Sequence, residues 1–228
     1  MKRYFPLLVI LFFCGCGQDQ APDLTENDTP RDSLIAAEAP AIDLSRITAD
    51  DRTYVPGQRI GLITGSTSPE QLSELYGAEN VLVDSIHLGE GFYVPGYRLF
   101  PGTTSEIALM YPRADEVGVR DLQVTIDEGS TDWRSAQNGI GIGTTLEELV
   151  RANGHPFTFY GFDWDYGGVV TDWQSGALSD HRLRLTYDYA NRPELHPTVR
   201  GEGKVVSNSP YVDDLGIKVV QIIVRLPK

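Results

Sequence analysis

The chain has 228 residues, with 19 basic and 32 acidic side chains and a formal net charge of -13. Its hydrophobic fraction of 41% fits a globular protein, and the length allows one or two domains. The acidic balance excludes nucleic acid as an expected partner, because phosphate binding relies on clustered Lys and Arg. Two cysteines exclude both a disulfide-rich scaffold and the usual four-ligand structural zinc site.

Lys2 and Arg3 precede a ten-residue apolar run, Tyr4 to Phe13, which is shorter than the roughly 20 residues of a bilayer span. A short positive segment, an apolar core and then small residues form the pattern of a secretory signal, so residues 1–15 stand outside the fold. The run ends in Phe13-Cys14-Gly15-Cys16, with a small residue before Cys16. This resembles the lipobox of bacterial lipoprotein signal peptides, although Phe13 departs from the usual Leu. The resemblance implies cleavage before Cys16, acylation of its sulfur, and residence in the bacterial cell envelope, at the outer rather than the inner membrane. Loss of Lys2 and Arg3 takes the charge from -13 to -15, so acyl chains rather than a basic patch must hold the protein at a membrane. An acylated Cys16 also leaves no free thiol for catalysis.

Residues 16–51 carry much Asp, Glu, Pro, Ala, Thr and Ser. From Gln18 to Asp51 there are nine acids and two bases, and no sustained periodicity. Such a stretch buries too little surface to offset its ordering entropy, and it reads as an acidic flexible tether. Composition changes at Arg52-Thr53-Tyr54-Val55, where Gly, Tyr, Val and Ile become frequent.

Two segments of the remainder match. Ile63 to Leu72 lies on Ile140 to Leu149 at an offset of 77, which also brings Gly77 onto Gly154. Ala108-Leu109-Met110-Tyr111 then matches Arg184-Leu185-Thr186-Tyr187, and Leu122 to Ile126 matches Val220 to Val224 after an insertion of about 22 residues. Each copy opens on a helix start: Thr67 or Ser68 with Pro69 at the first helical position, and Thr144 or Thr145 before Glu147 and Glu148. Each helix is expected to end at its glycine. Three strands are expected after the first, near Val81–Leu88 or Tyr93–Phe100, then Glu106–Tyr111, then Val119–Ile126. After the second they are expected near Phe157–Asp163 or Gly168–Trp173, then Arg182–Tyr189, then Ile217–Leu226. Lys204 to Asp214 reads as a solvated loop within the insertion. The expected fold is α+β, two tandem modules over 52–130 and 131–228, each a short helix followed by antiparallel strands.

Gly143-Thr144-Thr145-Leu146-Glu147-Glu148-Leu149 through Gly154-His155-Pro156 resembles the short helical segment of SmpA/OmlA-type envelope lipoproteins. The tandem layout is similar to that of β-lactamase-inhibitor-protein folds. Those families are binding or assembly modules, although they carry two helices before each sheet where this chain shows one. The resemblance therefore implies a non-catalytic, membrane-anchored module with an envelope protein as partner, and it transfers no functional residue.

Motifs for chemistry are few. Gly139-Ile140-Gly141-Ile142-Gly143 lacks the Lys-Ser/Thr of a phosphate-binding loop and the dinucleotide spacing, so it reads as a tight helix entry. His87, His155, His181 and His196 show no metal-ligand spacing, and no Gly-x-Ser-x-Gly occurs; no catalytic residue, metal or cofactor is expected. The unusual stretch is Phe157 to Gly168, continued by Asp172-Trp173, where aromatics interleave with acids and glycines. Its rings either alternate into the core of a hairpin turning at Gly167-Gly168 or offer a surface. A surface of Tyr160, Phe162, Asp163, Trp164, Asp165, Tyr166 and Trp173 would suit a protein partner or, as the alternative, the binding or processing of an envelope glycan by segment 157–173. Asp163 and Asp165 hint at a calcium loop, but Gln174 stands where the bidentate Glu belongs. Oligomeric state is left open.

Overall fold

The computed structural model describes residues 43–89, 91–113, 120–190 and 194–228. The expected signal segment, Cys16 and most of the expected tether lie outside the described residues.

Thirteen strands and two α-helices make the described part a mixed α+β fold. Three short strands come first, β1 (Thr53–Val55), β2 (Arg59–Ile60) and β3 (Ile63–Thr64). Helix α1 (Pro69–Tyr76) leads to β4 (Val81–Gly89), β5 (Phe92–Leu99), β6 (Ile107–Met110) and β7 (Leu122–Ile126). After β8 (Arg134–Ser135), helix α2 (Leu146–Asn153) leads to β9 (Thr158–Tyr160), β10 (Val170–Asp172), β11 (Arg182–Thr186), β12 (Lys204–Val206) and β13 (Lys218–Leu226).

Both helices begin where the sequence places a cap. Ser68 and Thr145 each accept from the backbone N–H three residues on, while Gln71 and Glu148 reach back to the cap's own N–H. Such reciprocal boxes satisfy donors that a helix start otherwise leaves open. Each helix stops at a glycine of positive φ, Gly77 and Gly154. Each is only eight residues long, so its stability comes from the face it buries: Leu72 and Tyr76 on α1, Leu149 and Asn153 on α2.

The main sheet has six strands in the order β11-β13-β7-β6-β5-β4, all neighbours antiparallel. Its long central strand β13 is the strand expected from Ile217–Leu226. Where the sequence offers either of two runs after each helix, both form strands, so β4 pairs with β5 and β9 with β10. A smaller sheet, β10-β9-β12, touches the main one through a bridge from Val169 to Arg184. The loop reading of Lys204 to Asp214 is corrected here. Lys204–Val206 is a strand on β9, and Val205 and Val212 are buried in the core. The third sheet, β3-β2-β1-β8, joins the start of the domain to its middle by a parallel pairing of β1 with β8.

One continuous core fills one side of the main sheet, including Leu99, Leu109, Val124 and Val224, with Leu72, Leu149 and Trp133 packed against them. Trp133 is anchored by its indole N–H to the carbonyl of Ser105 at 2.9 Å, and the Arg52 guanidinium lies 4.1 Å from the Phe100 ring centre. A second, small cluster of Ile86, Ala108 and Met110 sits on the opposite face, since Ala108 is the strand neighbour of the core residue Leu109.

Candidate functional site

The aromatic-acidic segment divides. Phe157 and Phe159 alternate inward from β9, and both are fully buried. Phe162 and Trp173 are buried too, with Phe157 4.5 Å from Trp173 and Phe159 5.7 Å from Phe162 between ring centres. The Trp173 indole N–H donates to the carbonyl of His181 at 2.8 Å. Asn153, buried at the end of α2, fixes the same loop. Its amide donates to the carbonyls of His155 and Trp173, and its oxygen accepts from the N–H of Leu178. These bonds hold Trp173 in the core.

Between Tyr160 and Tyr166 the side chains other than Phe162 turn outward. Tyr160 and Trp164 are half-buried, while Asp163, Asp165 and Tyr166 are exposed. Trp164 stands edge-on between Tyr160 at 5.2 Å and Tyr166 at 5.4 Å, and its indole N–H bonds the carbonyl of Gly161. Asp163 has φ of 66°, and its carboxylate accepts from the Tyr187 hydroxyl and from Arg200, both at 3.0 Å. Burial, and then this carboxylate, push the Tyr187 hydroxyl up to about 12. Arg184 closes the loop by donating to the carbonyls of Gly167 and Asp165.

Beside this loop lies a groove of about 440 Å³, lined on one side by Asp163 and Trp164 and on the other by Asp127, Glu128, Tyr189 and Gln221. Aromatic faces flanked by carboxylates can stack on a sugar ring and orient its hydroxyls. Asp165 and Asp172 lie outside the lining; Asp172 instead holds Gln174, accepting from its backbone and side-chain amides. Among the described residues no group of three or more His, Cys, Asp or Glu is placed to hold a metal.

Among the described residues, five of the nine exposed large hydrophobic side chains lie elsewhere, on the β4–β5 ribbon, which the sequence did not single out. Val83, Phe92 and Tyr93 are 73%, 67% and 64% exposed, and Leu82 and Leu88 are 48% exposed. Among the described residues β6 pairs only with Tyr97–Leu99 of β5, so the rungs from Asp84–Gly96 to Gly89–Phe92 run past that pairing, with Ile86 still packed on Ala108 and Met110. Among the described residues, no strand pairs with the outer side of β4. A signal was present in Val81-Leu82-Val83 and Phe92-Tyr93-Val94, where consecutive apolar residues break alternation and so present apolar side chains on both faces.

Among the described residues of the ribbon, the charged side chains are Asp84 and Arg98 in its inner half. Arg98 bonds Asp84 at 2.5 Å and Glu106 at 2.6 Å, which holds the Asp84 carboxyl below its usual range. Gly96 admits the Ile86 side chain, for a Cβ there would collide with it and with the carbonyl of Leu109.

Comparison of the chain with family models, curated proteins and solved structures finds no match.

Proposed function

We propose that the chain is a cell-envelope lipoprotein, acylated at Cys16, that acts as a non-catalytic protein-binding or assembly module at the outer membrane. The observation that carries the binding role is the β4–β5 ribbon, which exposes Val83 at its edge and holds Phe92 and Tyr93 out to solvent beyond the part that β6 backs. Isolated two-stranded hairpins are marginal in water, and exposed apolar patches mark contact sites. The anchoring role rests on the Lys2-to-Cys16 pattern.

The domain is read as two tandem modules, α1 with β4 to β7 and α2 with β9 to β11 and β13. Support comes from the matched capping boxes and from the pairing of β7 with β13, the last strand of each set, inside the main sheet.

Photo-crosslinking in intact cells, from Phe92 and separately from Trp164 in the full chain, tests the reading. The expected result is a dominant protein adduct from position 92 and none from position 164. A folded chain with no protein adduct at 92 refutes the binding role. A second reading, glycan binding, is favoured by the groove beside Trp164 and Asp163. It requires that an envelope saccharide protect Trp164 fluorescence from quenching, and that Trp164→Ala abolish the binding.

A further inference from the structure

We infer that the loop at residues 173–181 is an acid-operated latch, which opens when the His181 ring takes up a proton while the main sheet stays folded.

Three observations lead there. First, the loop has few ties to the body. It leaves β10 after Asp172, enters β11 at Arg182, and closes largely on itself. The N–H groups of Gly176, Ser179 and His181 bond the carbonyls of Trp173, Gly176 and Leu178, and the Trp173 indole bonds the carbonyl of His181. Beyond the contact of Gln174 with Asp172 at its root, its hydrogen bonds to other described residues run through Asn153 and the His181 ring. Asn153 accepts from the N–H groups of Ala177 and Leu178 and donates to the carbonyl of Trp173. The His181 ring meets the side-chain amide of Asn138 at 3.4 Å. Gln174 and Ser175 have φ of 54° and 62°, a left-handed bend that side chains rarely adopt, so the loop closes under strain.

Second, the polarity of the contact between His181 and Asn138 is fixed. The Asn138 side-chain oxygen accepts from the Ile140 N–H at 3.2 Å, which turns its amide nitrogen toward the ring. Nε2 of His181 must then accept, and the hydrogen of the neutral ring sits on Nδ1, buried without a hydrogen-bond partner. A second proton can enter only at Nε2, where it meets the hydrogens of the Asn138 amide, donor against donor. Asn138 cannot turn to receive it without giving up the Ile140 N–H.

Third, the elements packed on the ring offer its charge little. β1 presents the edge of Tyr54, whose hydroxyl donates to the carbonyl of Ile140 at 3.1 Å and is kept neutral by burial. Arg134, on β8, acts on that phenol. Burial disfavours the charged imidazole, and it outweighs the Asp180 carboxylate and the Leu178 carbonyl within the loop, which favour it. The closed loop thus holds a neutral ring, the open loop binds the extra proton, and acid drives opening. Trp173 and Leu178, both buried in the closed loop, then reach the surface, so this apolar face is presented only on acidification.

The test is hydrogen exchange of the purified full chain, read at the Ala177 and Leu178 amides and at the amides of β13. The loop amides should be less protected than those of β13 at every pH. Their protection should fall about a hundredfold between pH 7 and pH 4, as a ring that titrates near 4 when closed and 6.5 when open dictates. Asn138→Asp keeps an acceptor for Ile140 and offers a carboxylate oxygen to the charged ring, so it should cut that fall to less than about tenfold. Equal protection of the loop and β13 means that the loop opens only with the whole domain, which overturns the proposal. Loop protection that does not change with pH overturns it too. A fall that survives undiminished in Asn138→Asp, or in His181→Phe, places the controlling proton elsewhere and overturns it as well.

Discussion

Two antiparallel ribbons of this domain carry similar aromatic side chains to opposite ends. β9–β10 turns Phe157, Phe159, Phe162 and Trp173 into the core, whereas β4–β5 holds Val83, Phe92 and Tyr93 in water. The difference is one of cover rather than composition. β9–β10 is overlaid by the insertion, whose β12 pairs along β9 and brings Val205 into the core, and by the loop that Asn153 fixes. The first half of the domain has no counterpart to that insertion, and its hairpin projects past β6. An apolar run therefore indicates a need for cover, and the remainder of the fold determines whether the chain supplies it.

That contrast can be broken most sharply by paired truncations. Phe159→Ala should destabilise the domain by about 3 to 5 kcal/mol, the usual cost of emptying a buried phenylalanine site. Phe92→Ala should change stability by less than about 0.5 kcal/mol. Urea unfolding of both variants at neutral pH measures the difference, and equal losses would mean that the ribbon is covered within its own chain.

The packed half should also be the acid-sensitive half. His181 is buried under the Trp173 loop, edge-on to Tyr54 at 6.1 Å, and desolvation lowers its pKa from 6.5 to about 4. Its imidazole is neutral in the fold, so between these values the unfolded chain binds the extra proton. The stabilisation is complete above pH 6.5 and is lost as pH falls toward 4, by about 3 kcal/mol in all. Urea midpoints across this window should flatten in His181→Leu, whatever that variant's stability at pH 7.

Smaller effects test the symmetry of the two halves. Ser68→Ala and Thr145→Ala should each cost about 1 kcal/mol, because each removes one side of a reciprocal cap. A much larger cost at one helix than at the other would show that the two caps bear unequal weight. Arg98→Gln should cost less than about 1 kcal/mol, as expected for partly exposed ion pairs.

Local signals made part of this architecture legible. The helices could be placed from Ser68, Thr145, Gly77 and Gly154 because capping is decided within a few residues. The central strand β13 was legible because nine residues of almost unbroken β-branched and apolar character leave little alternative. The insertion was not legible. Val205, Val212 and Leu215 are set among turn residues such as Asn208, Pro210 and Gly216, and only contact with β9 and the core explains their burial. At the aromatic-acidic segment, alternation foretold Phe157 and Phe159. Phe162 and Trp173 are decided by distant partners, Arg200 pairing beside Phe162 and His181 capping the indole, which no local pattern contains.

The position of β13 has a consequence for how the chain reaches this state. It follows every other strand in sequence yet lies between β7 and β11, joining residues from distant parts of the domain. Until it inserts, β7 is a second open edge beside β4, and the core face of β4 to β7 is exposed. Folding dominated by such non-local pairing is slow, on the order of milliseconds to seconds, and its unfinished forms invite edge-to-edge association. The surplus of 13 negative charges then acts as a kinetic safeguard, keeping incomplete chains apart until the last strand seals the sheet.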